Sequence, residues 1–487
     1  MHPTARPRLY LINPINPLVS IINVKENYWN QYRVWKPLSL MVLAGLTPRE
    51  WDITIFDENV RLQDYASLPR PDLVGITAFT SQANRAYEVA AEFRARGVPV
   101  VLGGIHATMR LDEARARADS VVIGEAEAVW GELLEDLRKG ALKPTYTGTY
   151  ADMDRVPPAR HDLLPTGYRF GSIQLSRGCP LNCSFCSVSQ FNGKRYRCRP
   201  VEACVEEFRL IREKLVLVVD DNLIGTSRQH LEHAKTLFRA MAKANLGKKW
   251  MGQATINMAD DDELLDLARQ AGCFGVFIGF ESPTAEGLDE IGKKFNLQKN
   301  RVMADAVKKI QSHGIMVAGS FVLGLDVDKK GIGRRIAEAG NAFGVDLLNV
   351  LFMTPLPGTR LWDKMEEDGR LVANHFPDDW KYYTLTFPVA TYAQLSWSEM
   401  LQEMNDTNEY FYSYKHIARR ALTSMWRSRG LFGPFVTLAT NFSFKFNGTI
   451  DNNTYKGVDL ARGQALIDRE LTEVRASEAP AEAAWTS

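Results

Sequence analysis

The 487-residue chain has no excess of charge of either sign, with 59 Lys and Arg against 58 Asp and Glu. Net charge therefore gives no case for general nucleic-acid binding. Long apolar runs are missing as well: no stretch approaches the roughly 20 residues that a membrane-spanning helix needs. The N-terminus, Met-His-Pro-Thr-Ala-Arg-Pro-Arg, lacks the apolar core of a signal peptide, so the expected location is the cytoplasm. Cysteine is scarce, six residues in all. Without a secretory leader, that scarcity argues for a reducing compartment in which thiols serve metals rather than disulfides. At this length a single hydrophobic core gives way to two or three domains.

Three of the six cysteines are not scattered. In Cys179-Pro-Leu-Asn-Cys183-Ser-Phe-Cys186 they are spaced by three and then two residues. Thiolates hold iron–sulfur clusters, and three of them leave one iron open to a small molecule. Zinc is an alternative, with Cys183 and Cys186 joined by Cys198 and Cys204. Against it, Val201, Cys204, Val205, Phe208 and Ile211 recur at helical spacing, which places Cys204 on a buried stripe. Cys198 lies among cations in Arg-Tyr-Arg-Cys-Arg-Pro, which would favour its thiolate. Cys273 sits among apolar residues as a packed thiol.

The run Leu-Ser-Arg-Gly-Cys-Pro-Leu-Asn-Cys-Ser-Phe-Cys resembles the radical S-adenosylmethionine (SAM) superfamily. That resemblance implies a [4Fe-4S] cluster on Cys179, Cys183 and Cys186, with SAM chelated at the open iron. It also implies that Phe185 packs on adenine.

Ahead of the cysteines, from Leu9 to about Gly140, short apolar runs alternate with helical stretches, the pattern of a doubly wound parallel sheet. Five strands are predicted, at 9–13, 53–57, 73–77, 98–103 and 120–124, with helices over 37–46, 86–96 and 128–137. Ligands bind beyond the carboxyl ends of such strands. There the sequence places Asp57-Glu58-Asn59, Thr77-Ala-Phe-Thr80-Ser81, Gly103-Gly104-Ile-His106-Ala-Thr108 and Gly124-Glu125-Ala126-Glu127. Glycines at such ends let a bulky ligand approach the backbone. Taken alone, Gly103-Gly104 is a strand-to-helix turn that suits another nucleotide or no ligand. His106 alone reads as a hydrogen-bonding loop residue.

Together these strand ends resemble the cobalamin-binding domain that precedes the catalytic domain in one radical SAM subgroup. The resemblance assigns Thr77, Thr80, Ser81, Gly103, Gly104, His106, Gly124, Glu125 and Ala126 to cobalamin. Mutases of the wider cobalamin group carry Asp-x-His-x-x-Gly for a histidine ligand to cobalt. After the first strand here stands Asn13-Pro-Ile-Asn-Pro, so no histidine ligand comes from that position.

Residues 141–170, with Pro157-Pro158 and Pro165, read as a linker between domains at 1–140 and 171–362. In the second domain a strand at 172–176 delivers the cysteine loop. Strands at 215–219, 250–255, 276–280, 316–323 and 347–353 then alternate with helices, as in a parallel barrel whose chemistry gathers at the C-terminal strand ends. The resemblance makes it a partial (β/α)6 barrel. It sets Asp220, Asp221 and Asn222 against the SAM amino group, Glu281 and Ser282 against the ribose, and Gly319 and Gly324 beside the adenine. Pro357 then falls in the loop over the nucleoside. Asp and Asn also favour helix caps. Asp326 stands where the family frequently has a Gly-Glu pair. Gln253 and Asn257 are polar residues on or just after a strand that otherwise reads as buried, and such groups need partners, which makes them candidate substrate contacts.

Beyond Trp362 the alternation stops and aromatics accumulate. A helical region at 363–470, with a basic, aromatic helix after Tyr412 beside an apolar stretch from Leu431, either caps a barrel end or meets a hydrophobic substrate or membrane surface. Residues 471–487 are too small and polar to pack and read as disordered. The pattern loosely resembles methylase-like members acting on lipids, including hopanoid methylases. Such a family implies a cobalamin-dependent radical SAM methyltransferase acting on a small molecule, with an electron donor such as flavodoxin or ferredoxin. The alternatives are an oxidative cyclase or rearrangement enzyme using the same cofactors without methyl transfer, or a cobalamin sensor without turnover.

Overall fold

The structure, a computed structural model, describes residues 6–16, 35–165, 167–300, 302–427 and 432–457. The segment at 471–487 lies outside the described residues.

The first sheet is parallel and six-stranded, in the order β2-β1-β3-β4-β5-β6. Its strands are β1 (Arg8–Asn13), β2 (Asp52–Asp57), β3 (Leu73–Thr77), β4 (Val100–Gly103), β5 (Ser120–Ile123) and β6 (Thr145–Thr147). Helices α1 (Leu38–Leu46), α2 (Ala83–Ala95), α3 (Gly104–Met109), α4 (Leu111–Arg115) and α5 (Trp130–Arg138) connect them. The two-residue period of β1 divides the core. Leu9 and Leu11 bury with Leu40, Met41, Trp130 and Leu133 on one face, while Tyr10 and Ile12 bury with Phe93 on the other.

Because β1 pairs with β2 on one side and β3 on the other, the winding reverses between β1 and β3. A crevice opens at the carboxyl ends of such a sheet. Sequence reading gives no strand between 141 and 170. The structure adds β6, whose three residues, set between Pro144 and Gly148, are too short to show a period.

The second sheet, also parallel, runs β14-β13-β12-β11-β10-β7. It comprises β7 (Phe170–Ile173), β10 (Leu215–Val218), β11 (Lys249–Gln253), β12 (Cys273–Glu281), β13 (Met316–Leu323) and β14 (Leu347–Phe352). The expected strand at 172–176 is two pieces. After β7 the chain bends, and β8 (Ser176–Arg177) pairs antiparallel with β9 (Arg197–Cys198), Ser176 facing Cys198 and Arg177 facing Arg197. This clasp pinches the two ends of the cysteine loop together.

Around the barrel lie α6 (Val188–Phe191), α7 (Val201–Leu210), α8 (Arg228–Ala244), α9 (Asp262–Gln270), α10 (Ala285–Glu290), α11 (Met303–Ser312), α12 (Ile332–Phe343) and α13 (Arg360–Glu367). The chain continues through α14 (Trp397–Phe411), α15 (Tyr414–Arg427) and α16 (Phe432–Gly457). The region after α13 also grips the first domain: Trp380 Nε1 donates to both oxygens of Glu113 at 3.0 Å.

Candidate active site

The loop from Gly178 to Tyr196 is tied at several points. Gly178 takes a left-handed φ of +86°, and a Cβ there would collide with the Arg195 carbonyl. The Gly178 amide donates to Asp221 Oδ2 at 3.1 Å, and the Cys179 amide to the Gly193 carbonyl at 3.2 Å. On the other side, the Ser184 amide donates to the Ile291 carbonyl, and the Leu361 amide to the Ser184 carbonyl, both at 3.1 Å. Cys179, Cys183 and Cys186 are free, half-buried thiols. Burial raises all three pKa values, Cys186 to about 11, and each thiol lies within electrostatic reach of another of the set. Metal ligation would take them as thiolates, with release of their protons.

Lys293 supplies a buried cation beside them. Its ammonium ion-pairs with Glu281 and faces Cys183 and Cys186, and Glu281 raises its pKa against the opposing effect of burial. Glu281 reaches Lys293 because β12 ends in a bulge, where Gly279 pairs with Ser320 but Glu281 with Phe321, and Glu281 adopts a φ of +66°.

Of the two metal readings, the zinc quartet fails on Cys204. Cys204 is fully buried in the core, so the zinc quartet does not assemble. Cys198 also departs from expectation: its neighbours are Tyr196 and Asp220 rather than cations, and burial pushes its pKa to about 12.

The three polar residues after β10 divide their work. Asp220, fully buried, accepts from the Leu175 amide at 2.7 Å and from Ser176 Oγ at 2.6 Å. Contrary to expectation, its carboxyl is spent bracing β8, and burial raises its pKa to about 7. Asp221 reaches the cavity described below and accepts from Asn192 Nδ2 at 2.9 Å. Asn222 is buried with its Nδ2 lacking a hydrogen-bond partner, a donor left for a ligand. The Asn257 Oδ1 is likewise buried and unpartnered, whereas Gln253 is exposed.

The other expected SAM contacts also have partners within the fold. Ser282 Oγ accepts from the Thr284 amide at 3.2 Å. Gly319 faces the helical layer, where a Cβ would stand 3.1 Å from Phe280 and Val345, so its smallness serves packing. Gly324, with φ +102°, makes room for Met400 and Tyr392, and its amide donates to Asp328 at 2.9 Å. Asp326 pairs with Arg370 at 2.7 Å. Pro357 is buried beside Gly358, which packs on Met109 of the first domain. Phe185 is half-buried against the core.

A cavity of about 440 Å³ lies at the carboxyl ends of the first sheet and opens towards the cysteine loop. Thr77, Gly103, Gly104, Gly124, Glu125 and Ala126 line it from the first sheet, and Arg177, Ser187, Asn192 and Asp221 from the second domain. Gly103 is extended, with φ −147°, and a Cβ there would meet only Val122 at 3.9 Å. Its bareness leaves room for a ligand against the strand end. No histidine is among the described lining residues. His106 in particular points away: it is 1% exposed, and its Nε2 lies 2.9 Å from the Tyr87 hydroxyl and 3.5 Å from Glu113. Burial lowers its pKa, so it packs as a neutral ring between domains. Thr80 and Ser81 form a turn outside the lining, where Phe79 and Gln82 stand instead. Asp57 and Glu58 are also engaged, Asp57 with Asn13 and Tyr168, Glu58 with Arg85.

The sequence pattern gave no sign of the group that joins the two halves. Glu125 accepts from the Ala151 amide at 2.7 Å and lies 3.1 Å from Arg177 Nη1, and it also ion-pairs with Arg197. Arg177 adds an ion pair to Glu127. The guanidiniums hold Glu125 below its usual pKa despite burial. The clasp residues flanking the cysteine loop are thus bolted to the end of β5.

Residues 173–332 match the Radical SAM superfamily and residues 31–134 the B12 binding domain. The chain is 30% identical over 363 residues to bacteriochlorophyllide d C-12(1)-methyltransferase of Chlorobaculum tepidum, covering 71% of this chain and 76% of that protein. The chain belongs to the cobalamin-dependent radical SAM methyltransferase family. It is 31% identical over 343 residues to an uncharacterized methyltransferase of Synechocystis, covering 69% of this chain and 64% of that protein, under two thirds of its length. In fold it is similar to TsrM of Kitasatospora setae, a radical SAM methyltransferase solved with cobalamin and a [4Fe-4S] cluster. That match has a TM-score of 0.64 at 17% identity and covers 91% of this chain and 99% of TsrM. The family's cofactors are an iron–sulfur cluster, SAM and cobalamin, and this member of the family is an enzyme. No described helix is long and apolar enough to cross a membrane.

Proposed function

We propose that this enzyme transfers a methyl group to an unactivated carbon of a small, hydrophobic molecule. When bound, the cofactors supply one-electron cleavage of SAM, the radical that removes hydrogen, and the methyl group itself. The chain's own residues bind and align. Cys179, Cys183 and Cys186 hold the cluster, and Lys293, fixed by its ion pair to Glu281, turns its ammonium towards it. Asp221 and the free Asn222 Nδ2 orient SAM. Thr77, Gly103, Gly104 and Gly124 let cobalamin lie against the first sheet. The described part of the C-terminal region, 363–427 and 432–457, shapes access for the substrate.

One observation carries this reading: a single cavity is lined both by the strand ends of the B12 domain and by residues around the cysteine loop. Methyl donor and hydrogen-abstracting centre must address the same carbon, and holding them in one chamber is what the Glu125–Arg177 clasp contributes. Apolar walls such as Leu38, Ile105 and Trp130 keep water from the cobalamin side of this chamber. A relative's name, as a methyltransferase of bacteriochlorophyllide d, supports a hydrophobic substrate. Exposed Lys194 and Arg195 on the cysteine loop suit a negatively charged flavodoxin or ferredoxin as electron donor in the cytoplasm.

The test incubates anaerobically reconstituted enzyme with methyl-deuterated SAM and a panel of polycyclic lipid and tetrapyrrole substrates. Deuterium in a product supports the proposal. Formation of 5′-deoxyadenosine with an unlabelled, ring-closed product would assign a cyclase, and no 5′-deoxyadenosine would leave only a sensor.

A further inference from the structure

The hairpin of α15 and α16 is built on one face and bare on the other. Its inner side is anchored: Arg420 donates to the Phe411 carbonyl at 2.7 Å and to Asn441 Oδ1 at 2.9 Å, and Asn441 Nδ2 donates to the Asp346 carbonyl at 2.8 Å. Ile417, Ser424 and Thr437 are buried beside these contacts. The mounting is complete without the outer residues.

Outward, α15 presents Leu422 at 56%, Met425 at 54% and Trp426 at 90% exposure. On α16 the residues Phe435, Leu438 and Phe446 are exposed at helical spacing. The two stripes meet where the Tyr414 ring lies 6.4 Å from Phe442, which in turn stacks on Phe446 at 6.1 Å. A monomer rarely leaves such a contiguous apolar face to water without a use.

Charge identifies what covers it. Between Glu409 and Asp451 the sequence has no acid and six cations, of which Arg420 is the inward anchor while Lys415, Arg419 and Lys445 lie beside the apolar residues. Lys415 and Arg419 border Leu422 and Trp426 in a shallow groove, and Lys445 Nζ sits 4.6 Å above the Tyr414 ring. Exposed aromatic and aliphatic side chains bordered by Lys415, Arg419 and Lys445, on a stretch of sequence without acids, match the interfacial layer of an anionic bilayer. Neither helix is apolar enough to span one, so the hairpin lies along the surface. We propose that the outer face of α15 and α16 is a docking surface for an anionic lipid bilayer. This goes beyond the methyl-transfer reading and does not depend on it.

The test is co-sedimentation of the full-length, cobalamin-loaded protein with phosphatidylcholine vesicles and with equimolar phosphatidylcholine–phosphatidylglycerol vesicles. Binding to the anionic vesicles is expected, weakened by salt. It should fall about tenfold or more in Leu422→Ser/Trp426→Ser, whose apolar contribution to insertion is lost. Lys415→Glu/Arg419→Glu should lose the preference for anionic lipid. Cobalamin content and circular dichroism verify that each variant is folded. Failure of the wild type to sediment with either vesicle overturns the proposal, as does binding that neither variant weakens. Should sedimentation velocity show a dimer that Trp426→Ser abolishes, with no vesicle binding, the face belongs to a second copy instead.

Discussion

Arg177 Nη1 lies 3.1 Å from Glu125 Oε2, which ties the residue two places before the first cysteine to the end of β5 in the B12 domain. Both side chains are nearly buried, with 10% and 2% exposure. Breaking such a pair from one side leaves a charge without its partner, at a cost of about 3–5 kcal/mol.

Glu125→Ala therefore strands Arg197 and half-strands Arg177. In urea unfolding the variant should be less stable than the wild type by a free energy in that range. A second effect follows from geometry: the cysteine loop remains intact, but its position relative to the cobalamin cavity loosens. In turnover, 5′-deoxyadenosine should persist while methylated product falls at least tenfold, because alignment rather than radical formation is lost. Liquid chromatography of both products checks the ratio, and equal loss of the two would refute a positioning role.

Replacing Cys179, Cys183 or Cys186 by Ala removes one of the three thiols proposed to hold the cluster. Each variant should lose the cluster absorbance and 5′-deoxyadenosine formation while keeping cobalamin. Cys198→Ser and Cys204→Ser should keep both, since one thiol sits beside Tyr196 and Asp220 and the other in the core. Iron analysis with the cobalamin spectrum distinguishes the two groups.

Asp220 gives a pH signature. Burial raises its pKa to about 7 in the fold, above its ordinary carboxylate value. The native chain thus binds this proton more tightly than the unfolded chain. Its contribution to stability is largest below the ordinary value, declines as pH rises towards 7, and is flat above. Asp328, raised to about 6, acts in the same direction, so the informative quantity is a difference. Asp220→Asn should gain on the wild type by about 2–4 kcal/mol between pH 5 and 8, read from urea unfolding at each pH. A constant difference across that range would show that Asp220 is ionised throughout. Because Asp220 braces β8 rather than meeting ligand, the variant should still form 5′-deoxyadenosine.

What could be read from the sequence was local. Buried parallel strands announce themselves as apolar runs, and a cysteine triplet states its chemistry through spacing alone, so both sheets and the cysteine loop were legible. Hidden from view were contacts between residues far apart in the chain: Glu125 with Arg177 and Arg197, Lys293 with Glu281, Trp380 with Glu113. Strand-end position also proved weaker than side-chain direction. His106 and Gly103 sit three residues apart, yet the ring turns inward to Tyr87 while the glycine opens on the cavity. A two-residue strand such as β8 leaves no period to read.

That contrast at β4 makes Gly103 the most selective probe of the cobalamin site. Its backbone is extended, a conformation any residue adopts, so a side chain adds no strain. A Cβ would meet only Val122, at an ordinary 3.9 Å, and anything longer projects into the cavity. Gly104, by contrast, has a φ of +87°, and a Cβ would stand 2.6 Å from Thr77 Oγ1. Gly104→Ala should therefore destabilise the domain by about 1–3 kcal/mol and lower cobalamin and cluster yield together. Gly103→Leu should unfold like the wild type and keep its cluster, yet bind cobalamin at least tenfold more weakly, since a filled cavity excludes the ligand rather than loosening the fold. The readouts are cobalamin absorbance after gel filtration, iron content and the unfolding midpoint. Undiminished cobalamin binding by Gly103→Leu would mean that the cofactor does not lie against β4.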